Sequence, residues 1–449
     1  MRRRDFLNIS AVLVSGTLCG GKVSALPENS FFDSAGMPIQ RFGDGRDWFF
    51  KKRFGMFVHW GIYSIPAVHE QYQQRYSVPR EEYVEYAQQW DPKKFNPDHW
   101  LDLMQEAGME YLTFTTKHHD GFCMWDTKET SFNVMNTPYK KDILGMLADA
   151  CHKRNIPLSL YYSVVDWHNP YYPNQGRHHE LPHPEPGDTP NWEKYMEFVK
   201  AQVKELCTNY GEISGFWWDM NVPEYKDPSI NAMIRKLQPN AVINNRGFDK
   251  GDYGTPERNF DKGADKVMEF DRPVEACESV GMQSWGYRKN EDYYTDRYLE
   301  KKLDNYLSKN GNFLLNVGPD ASGKIPEVPA GILKRLGKWY HSVQEAYENV
   351  ELISGLSSNN MFVTAHDIIM YIHLNTAPVG NTVGLYPLST MPEKATLLNN
   401  NKELSCSVER KPYEKESFLW INELPVNDLC NTVPVIKLEF NKFVKQLIQ

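Results

Sequence analysis

The sequence predicts two folded regions of different class, a (β/α)₈-type (TIM-like) barrel and, after it, an all-β sandwich. Over residues 54–348, short apolar runs that suit strands alternate with amphipathic stretches that suit helices. This alternation is the pattern of a parallel sheet, and about seven strands over such a length favour a closed barrel. Beyond about residue 352, the helical periodicity is lost and turn residues separate strand-like runs, as in a sandwich.

Strands are predicted at apolar or aromatic runs, and helices at stretches with one apolar face. Six of the predicted barrel strands lie at 54–59, 111–116, 157–162, 215–219, 241–245 and 313–317. The predicted helices are 80–90, 97–107, 141–154, 191–209, 228–237, 295–309 and 329–348. The sandwich strands are expected at 362–366, 368–374, 417–421 and 433–438. No G-x-G-x-x-G motif follows the first strand, which disfavours a dinucleotide-binding sheet.

The N-terminal region has the composition of a secretory signal. Three arginines at positions 2–4 precede an apolar run over 9–18, and a small-residue cleavage site follows at 23–25. We therefore expect a signal peptide over residues 1–25, the barrel domain over 26–350 and the sandwich domain over 351–449. The predicted location is the bacterial periplasm or the medium. Cys19 is a poor lipid-anchor candidate after Leu18.

The net charge and the cysteine spacing argue against a nucleic-acid partner and against a zinc site. The net charge of −8 argues against nucleic acid, because phosphate binding needs a basic face. Aromatic residues make up 13% of the chain, which suits either sugar recognition or a large aromatic core. The six cysteines after the signal region are scattered without zinc-site spacing, so they are expected to be mostly buried, with an occasional disulfide at most. No metal, cofactor or membrane span is expected.

Polar residues recur where the predicted barrel strands end. They are His59, His118 and His119, Tyr161 beside Tyr162, Asp219, and Arg246. Active sites of barrels of this class lie at the carboxyl ends of the strands. Three histidines and a carboxylate could also bind a metal, but adjacent residues on an extended strand point to opposite faces, so His118 and His119 are not expected to share an ion. The set fits the binding of hydroxyl groups better.

Asp219 ends the aromatic stretch Gly215-Phe216-Trp217-Trp218-Asp219, and the carboxylates that follow it suggest glycoside hydrolysis. Retaining glycosidases use one carboxylate as nucleophile and a second carboxyl group as general acid and base. Asp219 is the candidate nucleophile, although a lone aspartate after a strand can also cap a helix. Glu257 and Glu275 are the candidate acids.

The residues resemble the α-L-fucosidases of glycoside hydrolase family 29 over about 47–348. The matching motifs are Phe54 to Ala67, Thr116 to Phe122, Phe216 to Asp219, Asn245-Arg246-Gly247, Gly251 to Glu257, Ser284 to Tyr287, and Asn310 to Pro319. The resemblance implies a barrel with a C-terminal β-sandwich and a metal-free double displacement that releases terminal α-L-fucose from glycans.

The resemblance also implies roles for individual residues. Asp219 matches the nucleophile, and Arg246 matches the arginine that supports the sugar beside it. The histidines that hold the sugar hydroxyls match His59, His118 and His119. Aromatic positions match Trp217 and, for the pocket of the fucose methyl group, Phe57 and Trp285. Tyr161 is a weaker match, because Tyr162 could face the sugar instead.

Glu257 is the preferred general acid, because it lies 11 residues after Arg246, close to the family spacing. Glu275 remains the alternative, although Val274 stands where the family often has tryptophan. Gln71 likewise replaces a tryptophan, which leaves the local subsite shape open. Two other functions remain open: a glycosidase for a related sugar such as α-L-galactose, and a non-catalytic carbohydrate-binding protein.

Overall fold

A curled sheet of seven parallel strands forms the first part of the chain. The computed structural model describes residues 39–219, 227–258, 270–358 and 360–448, so the predicted signal peptide and Cys19 lie outside the described residues. The strands follow the order β5-β4-β3-β2-β1-β7-β6. Their bounds are β1 Phe54–Val58, β2 Tyr111–Lys117, β3 Leu158–Ser163, β4 Gly215–Asp219, β5 Val242–Ile243, β6 Glu275–Ser279 and β7 Asn312–Val317.

Helices connect the strands and pack on the outside of the sheet. They are α1 Tyr72–Arg75, α2 Arg80–Tyr83, α3 Glu85–Gln89, α4 Pro97–Glu106, α5 Ile143–Lys153, α6 Trp192–Asn209, α7 Pro228–Leu237, α8 Asp296–Leu307 and α9 Glu327–Val343. Side chains cap several of them, as Asn96 does by accepting from the backbone N–H of Asp98 before α4. The single helix predicted over 80–90 is two short helices, α2 and α3.

The segment 253–257 fills the gap between β5 and β6. It forms parallel bridges to Asn244 on one side and to Val274 and Cys277 on the other. The backbone N–H of Glu275 donates to Gly254 at 2.8 Å, and that of Cys277 donates to Pro256 at 2.9 Å. An extended segment in this position completes the ring of strands that the sequence predicted as a closed barrel.

Aromatic side chains fill the inside of the barrel. One buried cluster there combines Phe49, Phe57, Tyr111, Tyr161, Trp217, Val242, Tyr253, Cys277 and Leu314. Strand side chains that point inward alternate with those that face the helices. This alternation separates the two neighbouring tyrosines of β3. Tyr161 lies in the inner cluster, whereas the Tyr162 hydroxyl donates to Gln202 of α6 at 2.6 Å.

Antiparallel strands make up the rest of the chain. The strands β8 Glu351–Leu352, β9 Phe362–His366, β10 Ile369–His373, β12 Lys394–Leu397, β13 Lys402–Glu403 and β16 Val435–Glu439 form a six-stranded sheet. A three-stranded sheet consists of β11 Val383–Leu385, β14 Ser405–Glu409 and β15 Phe418–Asn422. Both sheets contribute to one hydrophobic core, so this region is a sandwich.

Cysteine burial agrees in part with the sequence prediction. Cys123, Cys151, Cys207 and Cys277 are buried free thiols, whereas Cys406 is half-buried and Cys430 is exposed. The prediction of burial is therefore wrong for Cys430. Within the described ranges, no helix combines the length and apolar character that a membrane span requires.

Candidate active site

A cavity of about 350 Å³ opens at the carboxyl ends of the barrel strands. This volume is within the usual range for pockets that bind small molecules. Ten of the predicted site residues line it: Phe57, His59, His118, His119, Tyr161, Trp217, Asp219, Arg246, Glu257 and Trp285. The structure therefore brings together residues from five strand ends and two loops. Glu275 is absent from this lining.

Asp219 is the last residue of β4, and its side chain is 13% exposed. Its Oδ2 accepts the Tyr161 hydroxyl at 2.7 Å, and its Oδ1 accepts from Nη1 of Arg246 at 3.1 Å. Burial alone would raise the pKa of Asp219, but Arg246, His119 and the Tyr161 hydroxyl lower it below its usual value. The carboxylate is therefore ionised at neutral pH, as a nucleophile must be.

Arg246 joins the two candidate catalytic carboxylates. One guanidinium nitrogen donates to Asp219 and the other to Oε2 of Glu257 at 2.7 Å. The guanidinium also stacks on the ring of Trp217 at 4.6 Å, and Nε donates to the Thr255 hydroxyl. Because the guanidinium is planar and rigid, it holds the two carboxylates on the same side of the cavity.

Glu257 owes its place to the segment that closes the barrel. A parallel bridge pairs Glu257 with Cys277, which follows Glu275 by two residues on β6. Glu257 therefore lies about 7 Å nearer than Glu275 to the carboxyl ends of the strands. The Glu257 side chain is 37% exposed and lines the cavity. It can therefore exchange protons with solvent, as an acid that becomes a base must do.

Glu275 lies deeper, inside the barrel. It is the first residue of β6, a strand that the sequence prediction missed. The Tyr111 hydroxyl donates to its Oε2 at 2.7 Å, and Nε1 of Trp217 donates to its Oε1 at 2.9 Å. Burial raises the pKa of Glu275 to about 7. Glu275 does not line the cavity, whereas Trp217 and Glu257 do, which favours Glu257 as the acid.

The hydrogen-bond network determines the tautomer of His59. Asn316 donates from Nδ2 to the carbonyl of Trp285 at 2.7 Å, so its Oδ1 is the acceptor for His59 Nδ1 at 2.8 Å. Burial lowers the pKa of His59 to about 4. The ring is therefore neutral, with its proton on Nδ1, and its unprotonated Nε2 can accept a hydrogen bond from a sugar hydroxyl.

His119 has the same tautomer for a similar reason. The Ser163 hydroxyl donates to the carbonyl of Val165 at 2.7 Å, so the Ser163 oxygen accepts from His119 Nδ1 at 2.7 Å. Burial lowers the pKa of His119 to about 3. Its Nε2 lies 3.9 Å from Oδ2 of Asp219. A hydroxyl bound at Nε2 would therefore lie beside the Asp219 carboxylate.

The expectation that His118 and His119 point to opposite faces is wrong. β2 ends at Lys117, so both histidines follow the strand, and their ring centroids are 4.1 Å apart at the same cavity. Burial keeps the pKa of His118 well below its usual value, and its buried Nδ1 has no hydrogen-bond partner among the described residues. Across those residues, no cluster of His, Cys, Asp and Glu is arranged to hold a metal ion.

Phe57 and Trp285 form an apolar wall of the cavity. Their ring centroids are 6.3 Å apart, and the Trp285 ring also lies 5.3 Å from His59. The Arg258 guanidinium lies over the Trp285 ring, with its carbon 4.6 Å from the ring centroid. A wall of this kind suits a methyl group or another apolar part of a ligand.

Glu70 is a cavity residue to which the sequence analysis gave no role. It is 1% exposed, and its Oε2 accepts from the Ser284 hydroxyl at 2.7 Å and from the Trp285 backbone N–H at 2.9 Å. Although burial opposes it, His69 and the Ser284 hydroxyl lower the pKa of Glu70. This ionised carboxylate fixes the loop that carries Trp285. The sequence signal for Glu70 is its position directly before Gln71, the residue that replaces a tryptophan of the family.

Residues of the loops, of helix α1 and of β6 that carry no strand-end signal complete the cavity. They are His69, Gln71, Arg75, His178, His179, Arg258, Cys277, Met282 and Gln283. The Gln71 side chain, which replaces an expected ring, accepts at Oε1 from Nε of Arg75 at 2.9 Å. Together the cavity offers an ionised nucleophile candidate, a solvent-reachable acid candidate, neutral hydroxyl acceptors and an apolar wall. This combination suits glycoside cleavage.

Comparisons with known proteins agree with this chemistry. The sequence profile of the family described as Alpha-L-fucosidase matches residues 40–345. Tissue alpha-L-fucosidase of Bos taurus is 27% identical over 413 residues, which cover 84% of this chain and 85% of that protein. Alpha-L-fucosidase isoenzyme 1 from Paenibacillus thiaminolyticus has a solved structure with a TM-score of 0.77 and 30% identity, covering 89% of this chain and 100% of that one.

A second solved structure shows a reaction intermediate of a relative. It is an α-L-fucosidase GH29 from Bacteroides thetaiotaomicron, trapped as a covalent intermediate with 2-fluoro-fucosyl fluoride. It aligns with a TM-score of 0.75 and 26% identity over 90% of this chain and 98% of that one. Because the family profile covers more than half of the sequence, this chain belongs to the α-L-fucosidase family, glycoside hydrolase family 29.

Proposed function

We propose that this chain is a retaining exo-α-L-fucosidase that releases terminal fucose from oligosaccharides or glycoconjugates in two displacement steps. The observation that carries the proposal is the pair of Asp219 and Glu257, which line the same cavity and are both bound to one Arg246 guanidinium. Retaining glycosidases require two carboxyl groups that are close together, about 5–5.5 Å apart.

In the first step, Asp219 attacks the anomeric carbon while Glu257, in its protonated form, gives its proton to the leaving oxygen. The bond between the anomeric carbon and Asp219 replaces the glycosidic bond, which yields a covalent fucosyl-enzyme. In the second step, Glu257 takes a proton from water, and the water oxygen displaces Asp219 with a second inversion. Arg246 keeps Asp219 ionised and positioned, and Tyr161 directs the other carboxylate oxygen.

The bottom of the cavity supports fucose as the sugar. Neutral His59 and His119 offer acceptor nitrogens to hydroxyl groups, and Phe57 with Trp285 offers an apolar surface to the C6 methyl group. L-galactose differs by a hydroxyl on that carbon, and an apolar pocket rejects an added hydroxyl by only about 10²-fold. Fucose is therefore the expected substrate, with α-L-galactosides as slow ones.

Paired kinetics test the proposed activity. We expect aryl α-L-fucoside to be hydrolysed with a kcat/KM about 10²-fold above that of the matched aryl α-L-galactoside, and proton NMR should show α-L-fucose as the first product. Equal rates on the two sugars would contradict the fucose assignment. Tight fucose binding without turnover would indicate a carbohydrate-binding protein. A panel of α1,2-, α1,3/4- and α1,6-fucosylated glycans then defines the linkage.

We also propose that the protein is exported to the periplasm or the medium. The support is the sequence of the N-terminal region, with its arginines, apolar run and small-residue site near residue 25. Expression in a bacterium, followed by fractionation and N-terminal sequencing, should find a mature chain that begins near residue 26. Full-length protein in the cytoplasm would contradict this proposal.

A further inference from the structure

One side of the cavity mouth carries the positive charge of Arg75, which forms no ion pair with a carboxylate of the described residues. We call this side the basic rim and define it as Arg75, His178 and His179. All three line the cavity, and Arg75 and His178 are exposed. Arg75 ends helix α1, and the two histidines lie in the loop between β3 and α6. The rim therefore combines two separate loops at the opening.

Arg75 is held in place while most of its guanidinium remains available. Its Nε donates to Oε1 of the buried Gln71 at 2.9 Å, and its backbone N–H donates to the carbonyl of the same residue at 2.9 Å. Among the described residues, no Asp or Glu forms an ion pair with Arg75, and its two terminal nitrogens have no hydrogen-bond partner. A side chain fixed at Nε keeps its terminal N–H groups free to bind an anion in bidentate fashion.

Acidic residues near the rim are already paired with other arginines. Glu180 binds Arg177 at 2.8 Å, and Asp188 binds Arg80 through both carboxylate oxygens at 2.7 and 2.8 Å. Glu257, which also lines the cavity, binds Arg246. The charge of Arg75 consequently acts on its neutral neighbours. Burial lowers the pKa of His69 and, with His178, that of His179, and the charge of Arg75 adds to both shifts.

The rim lies where the leaving group of a fucoside must pass. The sugar occupies the buried end beside Asp219, and the general acid Glu257 marks the glycosidic oxygen. Arg75 and His178 are exposed, whereas the Asp219 side chain at the same cavity is 13% exposed, so the rim lies at the solvent end of the cavity, toward which a leaving group extends. His179 in turn stacks on His119 with ring centroids 5.7 Å apart, which links the rim to the sugar end.

We propose that the basic rim binds an anionic substituent, a carboxylate or a sulfate, on the leaving-group side of the fucoside, with Arg75 as its counter-charge. The inference rests on the proposed fucosidase function, because it takes the cavity to be the fucoside site. It assigns Arg75 a part in substrate selection, and no part in bond cleavage. Glycans whose penultimate sugar is acidic are the substrate class that it favours.

Three fucosyl disaccharides test the inference, all in the linkage that the glycan panel shows to be cleaved. One has a neutral leaving sugar, one a leaving sugar oxidised to the uronic acid, and one a sulfated leaving sugar. The readout is the ratio of kcat/KM for each acidic compound to that for the neutral one. The variant is Arg75→Gln, and Arg410→Gln is the control, since Arg410 is exposed in the sandwich and absent from the cavity lining.

We expect the wild type to prefer at least one acidic compound, and Arg75→Gln to reduce that ratio by about fivefold, the contribution of an exposed charge-assisted hydrogen bond. Arg410→Gln should retain the wild-type ratio, and Arg75→Lys should keep part of it, because the charge remains without the planar fork. Added salt should reduce the preference. The acidic compound that responds identifies carboxylate or sulfate as the ligand.

Two results overturn the inference, and only the second also overturns the proposed function. If all three disaccharides are hydrolysed and the ratios are the same in the wild type and Arg75→Gln, the basic rim does not select acidic leaving groups, while the proposed function stands. If the wild type hydrolyses none of them and no aryl fucoside, the proposed function fails and the inference fails with it.

Discussion

The buried floor of the cavity and its exposed rim are built in different ways. The floor consists of side chains at the ends of hydrogen-bonded strands, such as Asp219 on β4 and Tyr161 on β3, each held by further hydrogen bonds. The rim consists of side chains outside the barrel strands, such as Arg75 at the end of the short helix α1 and His178 in the loop after β3, which are exposed. A rigid floor suits a chemical step that needs fixed geometry, and a loop-built rim can change its leaving-group preference without disturbing the chemistry.

The two candidate acids show the same contrast. Glu275 lies within the barrel and accepts from Tyr111 and Trp217, so its surroundings are those of a structural carboxyl group. Glu257 lies one layer higher, lines the cavity and reaches solvent. The comparison teaches that burial and a raised pKa do not identify an acid catalyst unless the group also reaches the reacting atoms.

Removing the floor carboxylate should have the largest effect. Asp219→Ala should lower kcat on aryl fucoside by about 10⁴-fold or more, the size of loss seen when an essential nucleophile is removed. Circular dichroism and thermal unfolding should show an intact fold, because Asp219 ends its strand. Normal turnover in the variant would contradict the nucleophile assignment and the proposed division between floor and rim.

Glu257→Ala should have the second-largest effect on activity, and its size should depend on the leaving group. Fucosides with basic leaving groups should lose about 10²- to 10⁴-fold in rate, the usual contribution of general acid catalysis. An activated aryl fucoside should lose far less in its first step, because its leaving oxygen needs no proton. Azide should restore turnover and give a fucosyl azide of retained configuration. If Glu275→Ala shows this pattern and Glu257→Ala does not, the two roles are reversed.

Tyr161→Phe should have an intermediate effect. The variant keeps the ring but removes the hydroxyl that donates to Asp219 at 2.7 Å. We expect kcat to fall by about 10- to 100-fold, the value of a hydrogen bond to a charged group. The matched control is Tyr162→Phe, whose hydroxyl contacts Gln202 outside the barrel interior. Equal losses in both variants would show that the Tyr161 contact does not support the nucleophile.

Glu275→Gln should have the smallest effect on activity and a distinct effect on stability. The pKa of Glu275 is raised to about 7 in the folded protein, from a usual 4.5. Its contribution to the free energy of unfolding is therefore full below about pH 4.5 and is lost as the pH rises through about 7. Glutamine does not titrate, so the variant should gain stability relative to the wild type between pH 5 and pH 8. Urea unfolding at pH 5 and pH 8 measures the free energy of unfolding of both proteins. If the difference between the variant and the wild type is the same at the two pH values, Glu275 is not a buried neutral carboxyl group.

The sequence predicted the floor better than the rim. Strand ends follow from apolar periodicity, so His59, Asp219 and Arg246 could be placed on one edge of a barrel before the structure was considered. Alternation could not decide between Tyr161 and Tyr162, because a strand on which both faces are buried shows no polar phase. β6 was not predicted for a related reason. Glu275 and Glu278 are buried, yet their charge interrupts the apolar pattern that would indicate a strand.

Rim residues carry no periodic signal. Arg75 and His179 reach the cavity because distant loops fold over it, and sequence spacing contains no information about that approach. The error over His118 and His119 has a local cause. The rule of alternating faces applies only within a strand, and β2 ends at Lys117, one residue before the pair.

The most direct test of the central claim is to identify the residue that forms the covalent intermediate. The protein should be incubated with 2-fluoro-fucosyl fluoride, digested with pepsin and analysed by tandem mass spectrometry. We expect a single 2-fluoro-fucosyl group on Asp219 in the wild type, accumulating further in Glu257→Gln, where turnover of the intermediate lacks its base. Labelling of Glu257, Glu275 or Glu70 with Asp219 unmodified would contradict the account.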